Sequence, residues 1–401
     1  MQSSKEIIAK TQKYGANNYH PREVVFSSAN GVVVTDPEGR EYIDMLSAYS
    51  SVSLGHLHPE IVEVAIRQLN RVTLTSRAFY NDVLGDFYET LCDITKMEKI
   101  LPMNTGAEAV ETAIKAARRW GVDKKGVEDG KQEIIVCERN FHGRTTTIIS
   151  FSGDKKARRG FGPYTPGFTT IKYGCIESLK AAVTPNTVAF LVEPIQGEAG
   201  IIMPYEGYLK DVREVCDANN VLFIADEIQT GFARTGKMFA TWYDDVQPDI
   251  FVLGKALGGG IMPVSAIASS AEIMSVFEPG SHGSTFGGNP LAAAIAQKTM
   301  QILVRDNLAE EALKKGAFFK EKLQAIDNPD LKEIRGKGLL IGIEFKVNAM
   351  QYVKALNEAG VLTKETHENT MRFAPPLVIT YEQLAKAAEI IVRVLSDSPA
   401  K

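Results

Sequence analysis

Cysteine is scarce and scattered. Cys92, Cys137, Cys175 and Cys216 are the only four in 401 residues and no two lie close in sequence. That spacing excludes a disulfide framework or a zinc ribbon and leaves reduced, mostly buried thiols as the expectation. No apolar run approaches the ~18 residues that a membrane-spanning helix needs. The first ten residues lack the apolar centre of a secretion signal, and structured-looking sequence begins by Tyr14, so the cytoplasm is the expected compartment. Neither sign of charge dominates. A formal net charge of −4 gives no electrostatic reason to expect nucleic acid or an anionic membrane as partner. Internal repeats and low-complexity segments are also missing.

Two nucleotide signatures are absent. Neither Gly-rich loop carries Gly-Lys-Ser/Thr, so there is no Walker loop. Gly336-Lys-Gly338-Leu-Leu-Ile-Gly342 imitates a dinucleotide fingerprint, but its third Gly comes one place late and no helix with a suitably placed acid follows. His20, His56, His58, His142, His282 and His367 show no zinc spacing apart from the His56/His58 pair, which sits in a turn before Pro59 and reads as structural. No metal site is expected.

What is present is a globular chain, 44% apolar and 23% charged, long enough for about two or three domains. Residues 31–46 read as a hairpin around Asp36-Pro-Glu-Gly. Ile61, Val64, Ala65 and Leu69 recur at helical spacing. Thr105-Gly106 opens a helix whose Ala109, Ala113, Ala116 and Ala117 allow close packing. From about 131 strands and helices alternate, which predicts an α/β fold with a mostly parallel sheet and helices on both faces. After about 291 the texture shifts to a smaller α+β unit: a helix over 308–326, strands near 338–345 and 371–374, and a last helix opened by the capping box Thr380-Tyr-Glu-Gln. The expected organisation is an N-terminal segment and hairpin (1–46) packing with the small domain, a large domain (47–290) and a small C-terminal domain (291–401).

The chemistry starts at two strand ends. Val221-Leu-Phe-Ile-Ala is an apolar run that ends on Asp226, and Ile250-Phe-Val-Leu-Gly ends on Lys255. If both strands lie in one parallel sheet, the acid and the amine emerge at the same carboxyl edge, where such sheets bind ligands. That pair suits pyridoxal 5'-phosphate: the amine forms a Schiff base and the acid pairs with the pyridinium nitrogen. A helix starting at Gly106 offers free N–H groups to a phosphate. Arg144 and Arg372 each sit among apolar or small residues, where a guanidinium needs either an internal carboxylate or a substrate's; Glu193, Glu198 and Asp226 are the candidate internal partners.

Six motifs in order, Asn104-Thr-Gly-Ala-Glu-Ala, Phe141-His-Gly-Arg, Val192-Glu-Pro-Ile-Gln-Gly-Glu, Ala225-Asp-Glu-Ile-Gln-Thr-Gly, Gly254-Lys255 and Gly283-Ser-Thr-Phe-Gly-Gly-Asn-Pro, resemble the class III aminotransferases and span most of the chain. The resemblance implies the type I fold of pyridoxal-phosphate enzymes and a homodimer with shared active sites. It implies Lys255 as the Schiff-base lysine and proton shuttle, Asp226 on the pyridine nitrogen, Gln229 on the phenolic oxygen and Phe141 stacked on the ring. Gly106 and Ala107 would bind the phosphate, with Thr285 reaching it from the neighbouring subunit. Tyr14-Gly-Ala-Asn-Asn-Tyr-His-Pro, Leu46-Ser-Ala-Tyr-Ser, Leu74-Thr-Ser-Arg-Ala-Phe-Tyr-Asn and Arg372-Phe-Ala-Pro-Pro-Leu narrow the match to a branch that takes ornithine by its terminal amine and passes the amino group to 2-oxoglutarate. On that resemblance Arg144 holds the distal carboxylate and Arg372 the α-carboxylate of glutamate. Glu198 masks Arg372 while ornithine is bound, Tyr19 contacts ornithine's α-amine and Tyr49 lines the pocket. N-acetylornithine or 4-aminobutyrate as donor, an aminomutase, and a non-catalytic binding protein on the same fold stay open. His142 departs from the branch, standing where a Trp can follow the stacking Phe.

Overall fold

The computed structural model describes residues 2–397. A seven-stranded sheet forms the centre, in the order Lys99–Met103, Ser265–Ser269, Ile250–Leu253, Leu222–Asp226, Thr187–Val192, Glu133–Cys137, Phe168–Ile171. Ser265–Ser269 runs antiparallel to both of its neighbours and the other strands share one direction, so the sheet is mostly parallel as expected. Its middle strands are buried along their whole length. Their apolar runs show why: successive side chains point to opposite faces and both faces are covered. Phe190, Val192, Phe223 and Ala225 enter one core cluster, while Leu191, Leu222 and Ile224 enter a second, beneath the helix Gly106–Trp120. Full burial of each such side chain stabilises the fold by about 1.5–3 kcal/mol.

The sequence reading places the first ordered residues near Tyr14, yet a helix spans Ser4–Tyr14. It buries none of its residues, so apolar periodicity gave no signal; a capping box between Ser3 and Glu6 nucleates it instead. The hairpin strands Val33–Thr35 and Glu41–Asp44 pair as expected, and Val361–Leu362 adds to them in parallel from the far end of the chain. A third, antiparallel sheet has the order Leu331–Lys337, Leu340–Phe345, Thr370–Phe373, Lys364–Thr366 and carries Arg372. The turn between its first two strands explains the pseudo-fingerprint glycines: Gly338 has φ +54°, and a Cβ there would lie 2.4 Å from the Thr235 carbonyl carbon. The helix Pro290–Arg305, capped by Asn289, packs against Pro59–Leu69 and Leu84–Thr95.

Candidate active site

Asp226 pairs in register with Val252 on the adjacent parallel strand, and Lys255 follows three residues beyond it. The acid and the amine therefore meet at one sheet edge. They line a cavity of about 220 Å³ with Gly106, Ala107, Phe141 and Gln229, and His142, Glu193 and Glu198 complete its polar wall. Lys255 takes φ +41° just after Gly254, a left-handed conformation that costs a non-glycine residue on the order of 1 kcal/mol. Loss of hydration lowers the pKa of its ammonium; the charge of Glu198 opposes that shift and Arg372 adds to it.

The helix Gly106–Trp120 begins with Thr105 as N-cap, whose Oγ1 accepts from Glu108 N at 3.2 Å. With that cap in place, the N–H groups of Gly106 and Ala107 make no hydrogen bond within the described residues, and both residues line the cavity. Phe141 donates its backbone N–H to Glu193 Oε1 at 2.9 Å. Gln229 donates from Nε2 to Glu198 Oε1 at 3.3 Å, while its Oε1 is buried without a partner.

Three acids and a histidine share this small volume. Asp226 accepts from Ile228 N at 3.1 Å and from His142 Nδ1 at 2.6 Å. Burial works against a charged His142, but the hydrogen bond and charge of Asp226 outweigh it and raise the histidine's pKa. Burial pushes Glu193 up to about 7 against the pull of His142, with Asp226 adding to the rise. Glu198 goes the other way. Burial alone would raise it, but Arg372 and Lys255 hold it down at about 2.

Arg372 is 1% exposed and forms its ion pair with Glu198; its guanidinium lies 4.9 Å from the centre of the Tyr49 ring. Tyr49 belongs to an unusual turn. Ser47, Ala48, Tyr49 and Ser50 all have φ between 45° and 75°, four non-glycine residues in the left-handed region. The turn is fixed from outside: Leu46 N and Ser47 N donate to Asp44 Oδ1 at 2.9 and 2.8 Å, and Ser47 Oγ donates to Ala374 O at 2.6 Å. The fully buried Arg234 bonds Ser53 Oγ at 3.1 Å and the carbonyls of Leu339 and Pro375 at 3.0 and 2.6 Å. Burial brings its pKa down to about 9, with Asp44 opposing. His56 of the His pair contacts Asp44 Oδ2 at 2.9 Å, a structural role as expected.

Other expected residues lie apart. Arg144, expected to need a partner, is exposed; it rests 5.5 Å from the Phe141 ring centre and meets no carboxylate among the described residues. Its loop runs along the surface, where water supplies the solvation that burial would have demanded from an acid. Tyr19 is 63% exposed and lines a separate cleft of about 650 Å³ between the N-terminal helix and the helix Met350–Glu358. Thr285 is exposed, on a loop tied to the start of the helix Gly106–Trp120 by Asn104 Nδ2 donating to Ser284 Oγ at 2.9 Å. The bond from His142 to Asp226 and the left-handed turn at Tyr49 escaped the sequence reading. A lone His after the Phe141 position was the only hint of the first.

The family described as aminotransferase class-III matches residues 14–395. The chain belongs to the class-III aminotransferases. Among relatives of this class-III chain, the ornithine aminotransferase of Brevibacillus brevis is 60% identical over 395 residues, covering 98% of this chain and 99% of that protein. The crystal structure of the ornithine aminotransferase from Toxoplasma gondii superposes with a TM-score of 0.97 at 42% identity, over 98% of this chain and 95% of that one. The acetylornithine aminotransferase from Elizabethkingia anophelis gives 0.91 at 49% identity, over 98% and 99%. Class-III aminotransferases are transaminases that use pyridoxal 5'-phosphate.

Proposed function

We propose that this class-III aminotransferase moves the δ-amino group of L-ornithine to 2-oxoglutarate, giving glutamate and glutamate 5-semialdehyde in two half-reactions. The observation that carries the reading is the pairing of Arg372 with Glu198 beside Lys255. One pocket must accept a donor whose reacting end bears no carboxylate and an acceptor whose reacting end does. A guanidinium that an internal acid can mask or release meets both demands.

The cavity suits the cofactor by its unpaired polar groups. Gln229 Oε1 is buried and unpartnered, Gly106 and Ala107 leave two N–H groups free, and a Cβ on Gly197 would fall 1.6 Å from Gln229 Oε1, so glycine at 197 lets that amide keep its place in the wall. Lys255 would bind the cofactor covalently, Asp226 would face its ring nitrogen, Gln229 its phenolic oxygen and Phe141 its ring face. Gly106 and Ala107 would hold the phosphate. When bound, the cofactor supplies an electron sink for the carbanion formed at the amine-bearing carbon. Lys255 Nζ, its pKa lowered by loss of hydration, takes the proton from that carbon and returns one. Arg144 would hold the substrate's distal carboxylate, Arg372 the α-carboxylate of glutamate, and Tyr49 would line the donor side.

The working unit in this reading is a homodimer in the cytoplasm. Phe79 and Phe286 are 75% and 52% exposed, and Gly288 of the Thr285 loop lies against Arg77 and Leu84. Exposed aromatic side chains on these two segments suit a second copy, whose Thr285 would complete the site. Among the described residues the cysteines are free and no helix is long and apolar enough to cross a membrane.

A second reading, N-acetylornithine as donor, draws support from the 49% identity to the Elizabethkingia protein. The visible spectrum of the purified enzyme during stepwise addition of single amines separates the two. Loss of the yellow band with L-ornithine, and little change with N-acetylornithine or 4-aminobutyrate, supports the first reading. Loss mainly with N-acetylornithine moves the substrate, and no band even with added cofactor rejects the whole assignment.

A further inference from the structure

The strand Lys364–Thr366 forms one edge of the small antiparallel sheet. Its first residue pairs in register with Arg372. Directly opposed residues of an antiparallel pair share a face with Cβ atoms about 5 Å apart, so two cationic side chains leave the sheet side by side. Their surroundings differ. Arg372 is masked by Glu198, whereas Lys364 has no carboxylate within ion-pair distance among the described residues. Its Nζ donates to Tyr49 Oη at 3.0 Å and lies 5.6 Å from the centre of that ring, which the Arg372 guanidinium also faces. The rest of the segment grips the same wall. Glu365 pairs with Arg22 of the N-terminal segment, and His367 Nδ1 lies 2.8 Å from the carbonyl oxygen of Glu198.

We propose that Lys364 is a specificity-determining residue. Once Glu198 releases Arg372 to a substrate carboxylate, Lys364 adds a second positive charge to the Tyr49 wall, fixed in place by a phenol that is itself held in a constrained turn. That charge favours ligands bringing a second carboxylate. The inference rests on the donor and acceptor proposed above and assigns Lys364 the dicarboxylate half of the cycle.

The test uses holoenzyme carrying Lys364→Met and Lys364→Arg, with Lys364→Gln as a second neutral variant should Met disturb the edge strand. Two readouts are compared: the affinity for glutarate, a dicarboxylate that cannot react, from its shift of the cofactor band, and the half-reactions with L-glutamate and L-ornithine. The neutral variants are expected to weaken glutarate and raise KM for glutamate about tenfold with kcat kept, to change ornithine by less than about twofold, and to be rescued by Arg. Unchanged glutarate affinity, equal losses for both amino acids, or no rescue by Arg overturns the role of Lys364. Wild-type enzyme that keeps its band in ornithine would instead reject the proposed donor, so the two failures are distinct.

Discussion

His142 donates to Asp226 across 2.6 Å, and both side chains are buried. The acid that would face the cofactor ring nitrogen is therefore one end of a buried chain of charge that continues through His142 towards Glu193. Because the histidine's pKa is raised above 6.5, its contribution to stability is fully present below pH 6.5 and is lost as pH rises through the folded value. His142→Phe should cost on the order of 3 kcal/mol at acidic pH, since it strands Asp226 without its partner. Denaturant titrations of both proteins across pH should show that gap narrowing as pH rises; a constant gap would mean His142 acts by packing alone.

Glu193 titrates in the opposite sense to an ordinary stabilising acid. Between about 4.5 and about 7 the folded chain keeps a proton that the unfolded chain has lost, so stability falls as pH rises through that window. Glu193→Gln removes the titration. Its stability relative to wild type should grow by up to about 3 kcal/mol from pH 4.5 to 7 and then level off. Thermal melting at several pH values checks this.

Glu198 and Arg372 give the clearest functional prediction. Glu198→Ala leaves Arg372 unmasked, so ornithine turnover should fall at least about tenfold more than glutamate turnover. Equal losses in the two half-reactions would reject masking. The carboxyl's folded value of about 2 adds a stability signature: its contribution is present above pH 4.5 and is lost as pH falls through about 2.

Gly197→Ala tests the cofactor wall without touching a charged group. A Cβ 1.6 Å from Gln229 Oε1 forces that amide aside. Cofactor retention after dialysis, read from the visible band, should drop sharply while the melting temperature of the cofactor-free protein changes by only a few degrees, the equivalent of about 1 kcal/mol. Retention equal to wild type would show that Gln229 is not a cofactor contact.

The central sheet, the meeting of Asp226 with Lys255 and the helix start at Gly106 were legible in the sequence because each is a local pattern. Apolar runs buried on both faces mark strands, a parallel sheet collects its strand ends at one edge, and Thr105-Gly106 followed by alanines at helical spacing marks a helix start. Family resemblance then supplied roles that spacing alone left open, such as the masking of Arg372. Tertiary structure decided the rest. No local pattern says that His142, 84 positions before Asp226, donates to its carboxylate. None says that Lys364 rests its ammonium on Tyr49, 315 positions away. Nor could sequence place four non-glycine residues, 47–50, in left-handed conformation, because that strain is held not only by the nearby Asp44 but by Ala374 and Arg234 from distant parts of the chain. Short-range preferences set the elements and their order. The partners of buried charges depend on which distant side chains share one small, poorly hydrated volume, and that is settled only when the chain is packed.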